Sequence, residues 1–241
     1  MSEVKPYNTD LNKKAEVEQM FDNIAGKYDL LNGILSVGID KIWRKKMIRL
    51  LGRYNPATIL DVASGTGDVA LEAARTLKPT HITGTDLSEK MLDIGRDKIK
   101  ALGLQDLISM VKGDAENLPF GDNSFDAVTV AFGIRNFENL DLGLKEMNRV
   151  LKVGGHAAIL EFSKPKSLIF GSLYKFYFKQ ILPRIGRLTS GDFRAYSYLY
   201  ESVQQFPDGE AFKQHLKSAG YTAVEEFRLL GGICTIYFGQ K

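Results

Sequence analysis

The sharpest local signal in the chain is Leu60-Asp61-Val62-Ala63-Ser64-Gly65-Thr66-Gly67-Asp68. Glycines directly after a short apolar strand let a ligand approach the backbone closely, and the helix that follows offers free N–H groups to a negative group. Gly65-Thr66-Gly67-Asp68-Val69-Ala70 also fits the G-x-G-x-x-A dinucleotide fingerprint. Asp61 argues against a pyrophosphate there, because its carboxylate would face the phosphates at the strand end. A ligand carrying a positive charge suits it better: opposite unit charges ~4 Å apart attract by about 4 kcal/mol at an effective dielectric of 20, before desolvation.

Two further acids stand at strand ends. Asp86 closes the run His81 to Asp86, where a carboxylate with two oxygens can accept from both hydroxyls of a ribose. Asp114, in Gly113-Asp114-Ala115, follows the next strand and can accept from an adenine amino group. Each acid alone reads more readily as a helix cap or a solvated loop carboxylate. Three at successive strand ends beside a glycine loop point to an adenosine ligand, since open α/β sheets bind ligands at the carboxyl ends of their strands.

The elements needed to position these residues are legible in the spacing. Val17, Met20, Phe21, Ile24 and Tyr28 make one apolar helical stripe, interrupted by Gly26 and Gly33 with a loop-like Tyr28 to Asn32 between them. A basic helix over about Asp40 to Leu51 carries Trp43, read as packing. After Pro56, strands and helices alternate: strand Thr58–Val62, helix Asp68–Leu77, strand His81–Gly84, and a helix from Ser88, its N-cap, to Leu102. Strands Ile108–Val111 and Phe125–Ala131 follow, then a helix Leu140–Leu151 and, through Gly154-Gly155, the strand Ala157–Glu161. An aromatic-rich helical region, about 168–205, precedes a helix at Gly209–Ala219 and two strands, Ala223–Leu229 and Ile233–Phe238, joined by Gly231-Gly232. The pattern predicts an α/β fold: a doubly wound, mostly parallel, seven-stranded Rossmann-like sheet with an antiparallel last strand.

Composition narrows the class. In 241 residues, 44% are hydrophobic and 25% charged, which excludes collagen-like, coiled-coil and disordered chains. The single cysteine, Cys234, excludes an intrachain disulfide framework and reads as a buried apolar residue. His81, His156 and His215 are scattered with no metal-ligand spacing, so no metal is expected. The first residues show no apolar run behind a basic one, and no stretch approaches the ~18 apolar residues of a spanning helix. A cytoplasmic location is therefore expected, with contact at the inner face of the cytoplasmic membrane as its variant. Net charge is only +3, but Lys164 to Arg194 holds seven basic residues and one acid, interleaved with Phe170, Tyr174, Phe176, Tyr177, Phe178 and Phe193. Such a segment suits an anionic lipid interface, the cover of a greasy channel, or a helix packed on the core with solvated lysines.

Over nearly its whole length the chain resembles the menaquinone/ubiquinone biosynthesis C-methyltransferases, class I enzymes that use S-adenosyl-L-methionine (SAM). The glycine loop from Asp61 to Asp68 is shared across that superfamily. More specific are Phe21-Asp22-Asn23-Ile24-Ala25, Tyr28-Asp29-Leu30-Leu31-Asn32, Leu35-Ser36 and Trp43-Arg44. Phe132-Gly133-Ile134-Arg135-Asn136 and Arg149 to Gly155, ending in Glu161-Phe162-Ser163, match as well. The chain departs at Leu31 (usually Met), Asp40 (often His) and Ala131 (Ser in some members), so no imidazole at 40 and no hydroxyl at 131 carries over.

The resemblance implies a helical lid or substrate segment over 1–52 and a SAM-dependent methyltransferase domain over 53–241, with an aromatic-basic helical insertion at about 164–205. It implies that Thr66, Asp86, Asp114 and Ala115 contact SAM while Asp61, Gly65 and Gly67 shape its methionine end. The reaction implied is methylation of a ring carbon of a prenylated hydroquinone, demethylmenaquinol to menaquinol, with a ubiquinone-type benzoquinol as the alternative acceptor. The partners implied are that hydroquinone and an anionic membrane surface, with no nucleic acid; a homo-oligomer is left open.

The carbon becomes nucleophilic once an adjacent ring hydroxyl loses its proton, and holding it in line with the methyl donor supplies up to ~7–11 kcal/mol. Arg135, Asn136 and Tyr28 are the expected catalytic residues, with Asp29 beside them. An arginine, with a pKa above ~12, stabilises the phenolate rather than acting as base, directly or through a water that carries the proton. Arg135 could instead pair with Glu138. Three other readings stay open on the residues: an NAD-dependent oxidoreductase, a nucleic-acid methyltransferase, and a non-catalytic SAM-binding adaptor. The second lacks the Asn/Asp-Pro-Pro-aromatic run suited to base methylation after Ala131.

Overall fold

The computed structural model describes residues 4–36, 38–165 and 193–241. Seven strands form one sheet: β1 (Thr58–Val62), β2 (His81–Asp86), β3 (Ile108–Lys112), β4 (Phe125–Ala131), β5 (Leu151–Phe162), β6 (Thr222–Leu229) and β7 (Cys234–Gln240). Their order is β3-β2-β1-β4-β5-β7-β6. β1 to β5 pair in parallel, while β7 runs antiparallel to both β5 and β6. The expected fold is present, and its order reverses between β1 and β4, the place where doubly wound sheets bind ligands.

Both faces of the sheet are covered, as near-continuously apolar strands require. Alternate residues separate the two layers. Ile59, Ile82, Ala158 and Leu160 meet α3 (Ile39–Leu51), α4 (Asp68–Thr76) and α5 (Glu89–Ala101) through Met47, Ile48, Ala70 and Leu92. Leu60, Val62, Ala157 and Ile159 meet α6 (Leu140–Val150) and, after α7 (Phe193–Gln205), α8 (Glu210–Ser218) through Leu144, Met147, Phe212 and Leu216. α1 (Lys13–Ile24) uses Val17 and Met20 of its expected stripe against Ala195 and Tyr198 of α7. Ser88 caps α5 as expected, accepting from the Met91 N–H at 3.2 Å.

Two local expectations are corrected. Tyr28 to Asn32 is no loop: a 3-10 turn, Ala25–Lys27, leads into helix α2 (Tyr28–Ser36), with Gly33 inside it. Asp29 in the first turn is favoured by the helix dipole and anchored by Thr66 and Lys98, and the Tyr28 and Asn32 side chains hydrogen-bond one turn apart. The strand expected from Ala157 starts at Leu151 and bends at Gly154 (φ +80°), where its pairing with β4 shifts register. Within the aromatic region, α7 begins at Phe193; the part over 166–192, with most of the basic-aromatic segment, lies outside the described residues.

Candidate active site

At the carboxyl ends of β1 to β4 opens a cleft of about 730 Å³, counted out to its mouth. Its floor is the sheet rim, with Gly65, Asp86, Asp114 and Phe132; α1 and α2 roof it, Phe21 and Tyr28 pointing in. The loop over the rim is tightly wound: Ala63, Gly65 and Gly67 have φ of +50°, +54° and +80°. Only glycine takes such angles without strain, and a side chain on Gly65 would project toward open space beside Tyr28, so the loop presents bare backbone to the cleft.

Two of the three strand-end acids, Asp86 and Asp114, line the cleft, while Asp61 lies buried behind its rim. Asp61 is buried at the β1–β4 switch point, opposite Thr129, whose Oγ1 donates to Oδ1 at 2.7 Å. Its other oxygen, Oδ2, is buried without a hydrogen-bond partner. Burial pushes its pKa up to about 7, with the Thr129 hydrogen bond opposing and the charge of Asp86 adding to the rise. Asp86 lines the cleft, with Oδ2 accepting from Gly65 N at 2.8 Å and Oδ1 from Ser88 N at 2.9 Å. Burial raises its pKa too, against those main-chain hydrogen bonds. Asp114 accepts from Glu116 N at 2.9 Å and from Lys14 Nζ, reaching down from α1, at 2.6 Å. Ala115 adds a small apolar wall beside it.

Two of the expected cofactor contacts point elsewhere. Thr66 turns its hydroxyl away from the cleft, donating to Asp29 Oδ1 at 2.6 Å and accepting from Lys98 Nζ at 2.9 Å. Lys98 also reaches Asp29 Oδ2 at 2.5 Å and Asp68 Oδ1 at 2.9 Å, so the outer side of the glycine loop is latched to α2. Asp29 is thereby turned from the cleft, and the Cβ position of Gly67 faces Met110. Farther out, Arg44 joins Asp68 to Asp40, the position where the resembling family often has His.

Of the three expected catalytic residues, Tyr28 and Asn136 line the cleft. Burial raises the Tyr28 pKa, opposed by Asn32 and by the charges of Arg135 and Arg44, so its phenol stays protonated. Asn136 Oδ1 is buried without a partner. Arg135 is not among the lining residues. Its Nη1 donates to Glu161 Oε1 at 2.8 Å and to the Phe132 carbonyl, and its guanidinium lies 5.6 Å from the centre of the Phe162 ring. The pairing with Glu138 does not form; Glu138 Oε1 accepts from Lys13 N at 3.1 Å instead.

Sequence reasoning missed Lys14 and Lys98, and it quoted Phe132 without giving it a role. Nothing in the residue order marks the two lysines, or the φ of +59° that turns Phe132 into the cleft. Glu161 did carry a signal: an acid inside an apolar strand is buried with a partner.

The donor set fits an adenosine-bearing cation. Two carboxylates face the cleft from neighbouring strand ends, a third has a free buried oxygen behind the loop, and Gly65 leaves the backbone bare. The profile of the ubiE/COQ5 methyltransferase family matches residues 8–241. The demethylmenaquinone methyltransferase of Bacteroides fragilis is 49% identical over 238 residues, covering 99% of this chain and 97% of its own. The ubiquinone/menaquinone biosynthesis C-methyltransferase UbiE of Geotalea uraniireducens is 47% identical over 230 residues, 95% of this chain and 97% of its own. Among solved structures, a SAM-dependent methyltransferase of Thermotoga maritima superposes with a TM-score of 0.66 at 20% identity, covering 92% of this chain and 99% of that one. The SAM complex of phosphoethanolamine N-methyltransferase 2 from Haemonchus contortus superposes at 0.60 and 16% identity, over 81% of this chain and 52% of that one. These last two share the fold.

Proposed function

The chain belongs to the ubiE/COQ5 methyltransferase family, and from that premise we propose that it methylates a ring carbon of a prenylated hydroquinone, converting demethylmenaquinol to menaquinol. It is a SAM-dependent methyltransferase. The observation that carries the acceptor is the 49% identity, nearly end to end, with a relative named for demethylmenaquinone. The same chemistry on a ubiquinone-type benzoquinol is the second reading, favoured by the relative named for both quinones.

When bound, SAM supplies an electrophilic methyl group on a sulfonium. Asp86 and Asp114 would accept from its adenosine, Ala115 would wall the ring, and Asp61 would offer its free oxygen to the cationic end. Gly65 and Gly67 keep the loop open, and Thr66 contributes main chain rather than hydroxyl.

Toward the acceptor, Tyr28 holds a protonated phenol and Asn136 an amide in the cleft. Both can hydrogen-bond the ring oxygen as its charge develops, and such donors act strongly where water is excluded. Arg135 stands behind them as a fixed positive charge, oriented by Glu161, that favours the phenolate. Phe21 and Phe132 offer apolar faces for the ring.

The acceptor's prenyl tail asks for peripheral contact with an anionic membrane at the inner face of the cytoplasmic membrane. Among the described residues no helix is long and apolar enough to cross one. The test is to incubate the purified chain and SAM with reduced demethylmenaquinone, and separately with a demethylated benzoquinol, and to weigh the products. A gain of one methyl on the naphthoquinol supports the first reading; a gain on the benzoquinol alone supports the second. No methyl on either rejects both.

A further inference from the structure

Helix α3 is amphipathic in an unusual sense: its solvent side holds cations and an isoleucine but no acid. At 100° per residue, Lys41, Ile42, Lys45, Lys46 and Arg49 fall within about 140° of one another, and all five are exposed. The single acid of the helix, Asp40, is buried on the other side and paired with Arg44. Among the described residues, none of the four exposed cations forms an ion pair, and Ile42 in their midst is 66% exposed. Beside them runs a groove shared with α4, lined on the α3 side by Lys41, Ile42 and Lys45. The two acids of that groove are already engaged, Asp68 by Arg44 and Lys98 and Glu72 by Arg75.

We infer that the outer face of α3 is a docking surface for an anionic lipid bilayer. Charge complementarity carries the inference: four cations with no competing acid attract lipid phosphates, each contributing about fivefold to partitioning (~1 kcal/mol). Ile42 separates a bilayer from a nucleic acid, since an exposed aliphatic side chain ringed by cations gains by entering an acyl phase and gains nothing on a polyanion in water. The placement also serves the reaction. Trp43, on the inner side of the same helix, packs against Phe132 at 6.4 Å between ring centres, and Phe132 lines the cleft. A helix seated on the membrane would hold the cleft one aromatic layer from the source of a prenylated acceptor. The inference rests on the prenylated-acceptor reading for its purpose, not for its geometry.

The test is flotation of the full chain with vesicles of phosphatidylcholine alone and of phosphatidylcholine with phosphatidylglycerol. The wild-type chain is expected to float with the anionic vesicles and stay behind with the neutral ones. Reversing two charges, Lys41→Glu with Lys45→Glu, is expected to weaken binding on the order of 25-fold or more, and Ile42→Ser to weaken it without changing charge. Both variants keep wild-type turnover on a short-tailed, water-soluble hydroquinone, so a failure of the methylation reading shows there and not in flotation. Equal flotation by wild type and the double charge variant overturns the inference. So does release of the wild-type chain from vesicles by equimolar RNA with Ile42→Ser binding unchanged, which would make the face a polyanion site.

Discussion

Arg135 and Glu161 form an ion pair, 2.8 Å from Nη1 to Oε1, with the acid fully enclosed and the guanidinium 9% exposed. Glu161 lies on β5 and Arg135 in the turn after β4, so the pair spans the rim just behind the cleft. Burial raises the pKa of Glu161, opposed by the charge of Arg135 and by hydrogen bonds from Phe162 and Arg135. The pair fixes the guanidinium behind the cleft, where its charge is felt by Tyr28, and losing either half strands a buried charge or donor.

Glu161→Gln keeps the shape and removes the charge. Breaking a buried pair from one side costs about 3–5 kcal/mol, so urea denaturation should show a large loss of stability. In the folded fraction, turnover at saturating SAM should fall about 10²-fold while the KM for SAM holds. Arg135→Ala should show the same split. Reduced stability with unchanged turnover would leave the pair a structural one.

Asp61 sets the pH behaviour. Its folded pKa of about 7 lies above the 3.8 of an unperturbed aspartate. The folded chain therefore binds more protons than the unfolded one between those values, and stability falls as pH rises through that window. The full penalty above pH 7 is roughly 4 kcal/mol. Asp61→Asn should remove most of that slope and make the SAM-free chain more stable at pH 8. If the ligand sits as proposed, SAM brings positive charge toward the free oxygen, and its affinity for the wild-type chain should rise with pH through about 7. In Asp61→Asn it should be weaker and flat. Calorimetric titration at pH 6 and 8, with thermal melts of both chains, checks each part; a pH-independent wild-type affinity would place the ligand's cation elsewhere.

What the sequence revealed and what it hid divide along local and distant causes. The Ser88 cap, the apolar run Ala157 to Leu160 and the acids closing β2 and β3 each depend on neighbours within a few residues, and each was legible. Helix α2 was not, because Gly26 and Gly33 look like breaks, while the contact that anchors it, Asp29 to Thr66, spans 37 positions. The partner of Arg135 was missed for the same reason: Glu138 stands three residues away in the chain, but Glu161 is adjacent in the sheet. The direction of the Thr66 hydroxyl depends on left-handed backbone at Ala63 and Gly67, which residue spacing does not encode.

That direction gives a direct test of the loop. Thr66→Val keeps the branch and the main chain but removes the hydroxyl that joins Asp29 to Lys98. SAM affinity should stay within about twofold, since only a partly exposed polar contact worth ~0.5–1.5 kcal/mol is lost and it is not to the ligand. Turnover should fall, because α2 and with it Tyr28 are held less firmly over the cleft. Asp29→Asn, which removes the charge facing Lys98, should act in the same sense. A tenfold loss of SAM affinity in Thr66→Val would instead bring the hydroxyl back to the cofactor.

Lys14 holds the opposite edge of the roof. Its ammonium sits 2.6 Å from Asp114 and 3.3 Å from Glu116, and these acids raise its pKa against the opposing effect of burial. The bridge closes α1 onto the carboxylate proposed for adenine, so the bound ligand would share Asp114 with it, the bridge opening for passage and re-forming behind it. Lys14→Met removes the charge and keeps the apolar stem. A partly exposed pair of this kind is worth ~0.2–1 kcal/mol, so SAM should leave up to about fivefold faster. Entry should quicken in parallel and leave the equilibrium affinity nearly unchanged, because the bridge restrains the roof in both directions. Stopped-flow displacement of bound SAM measures the rates; unchanged entry and exit would mean that the ligand passes without α1 moving.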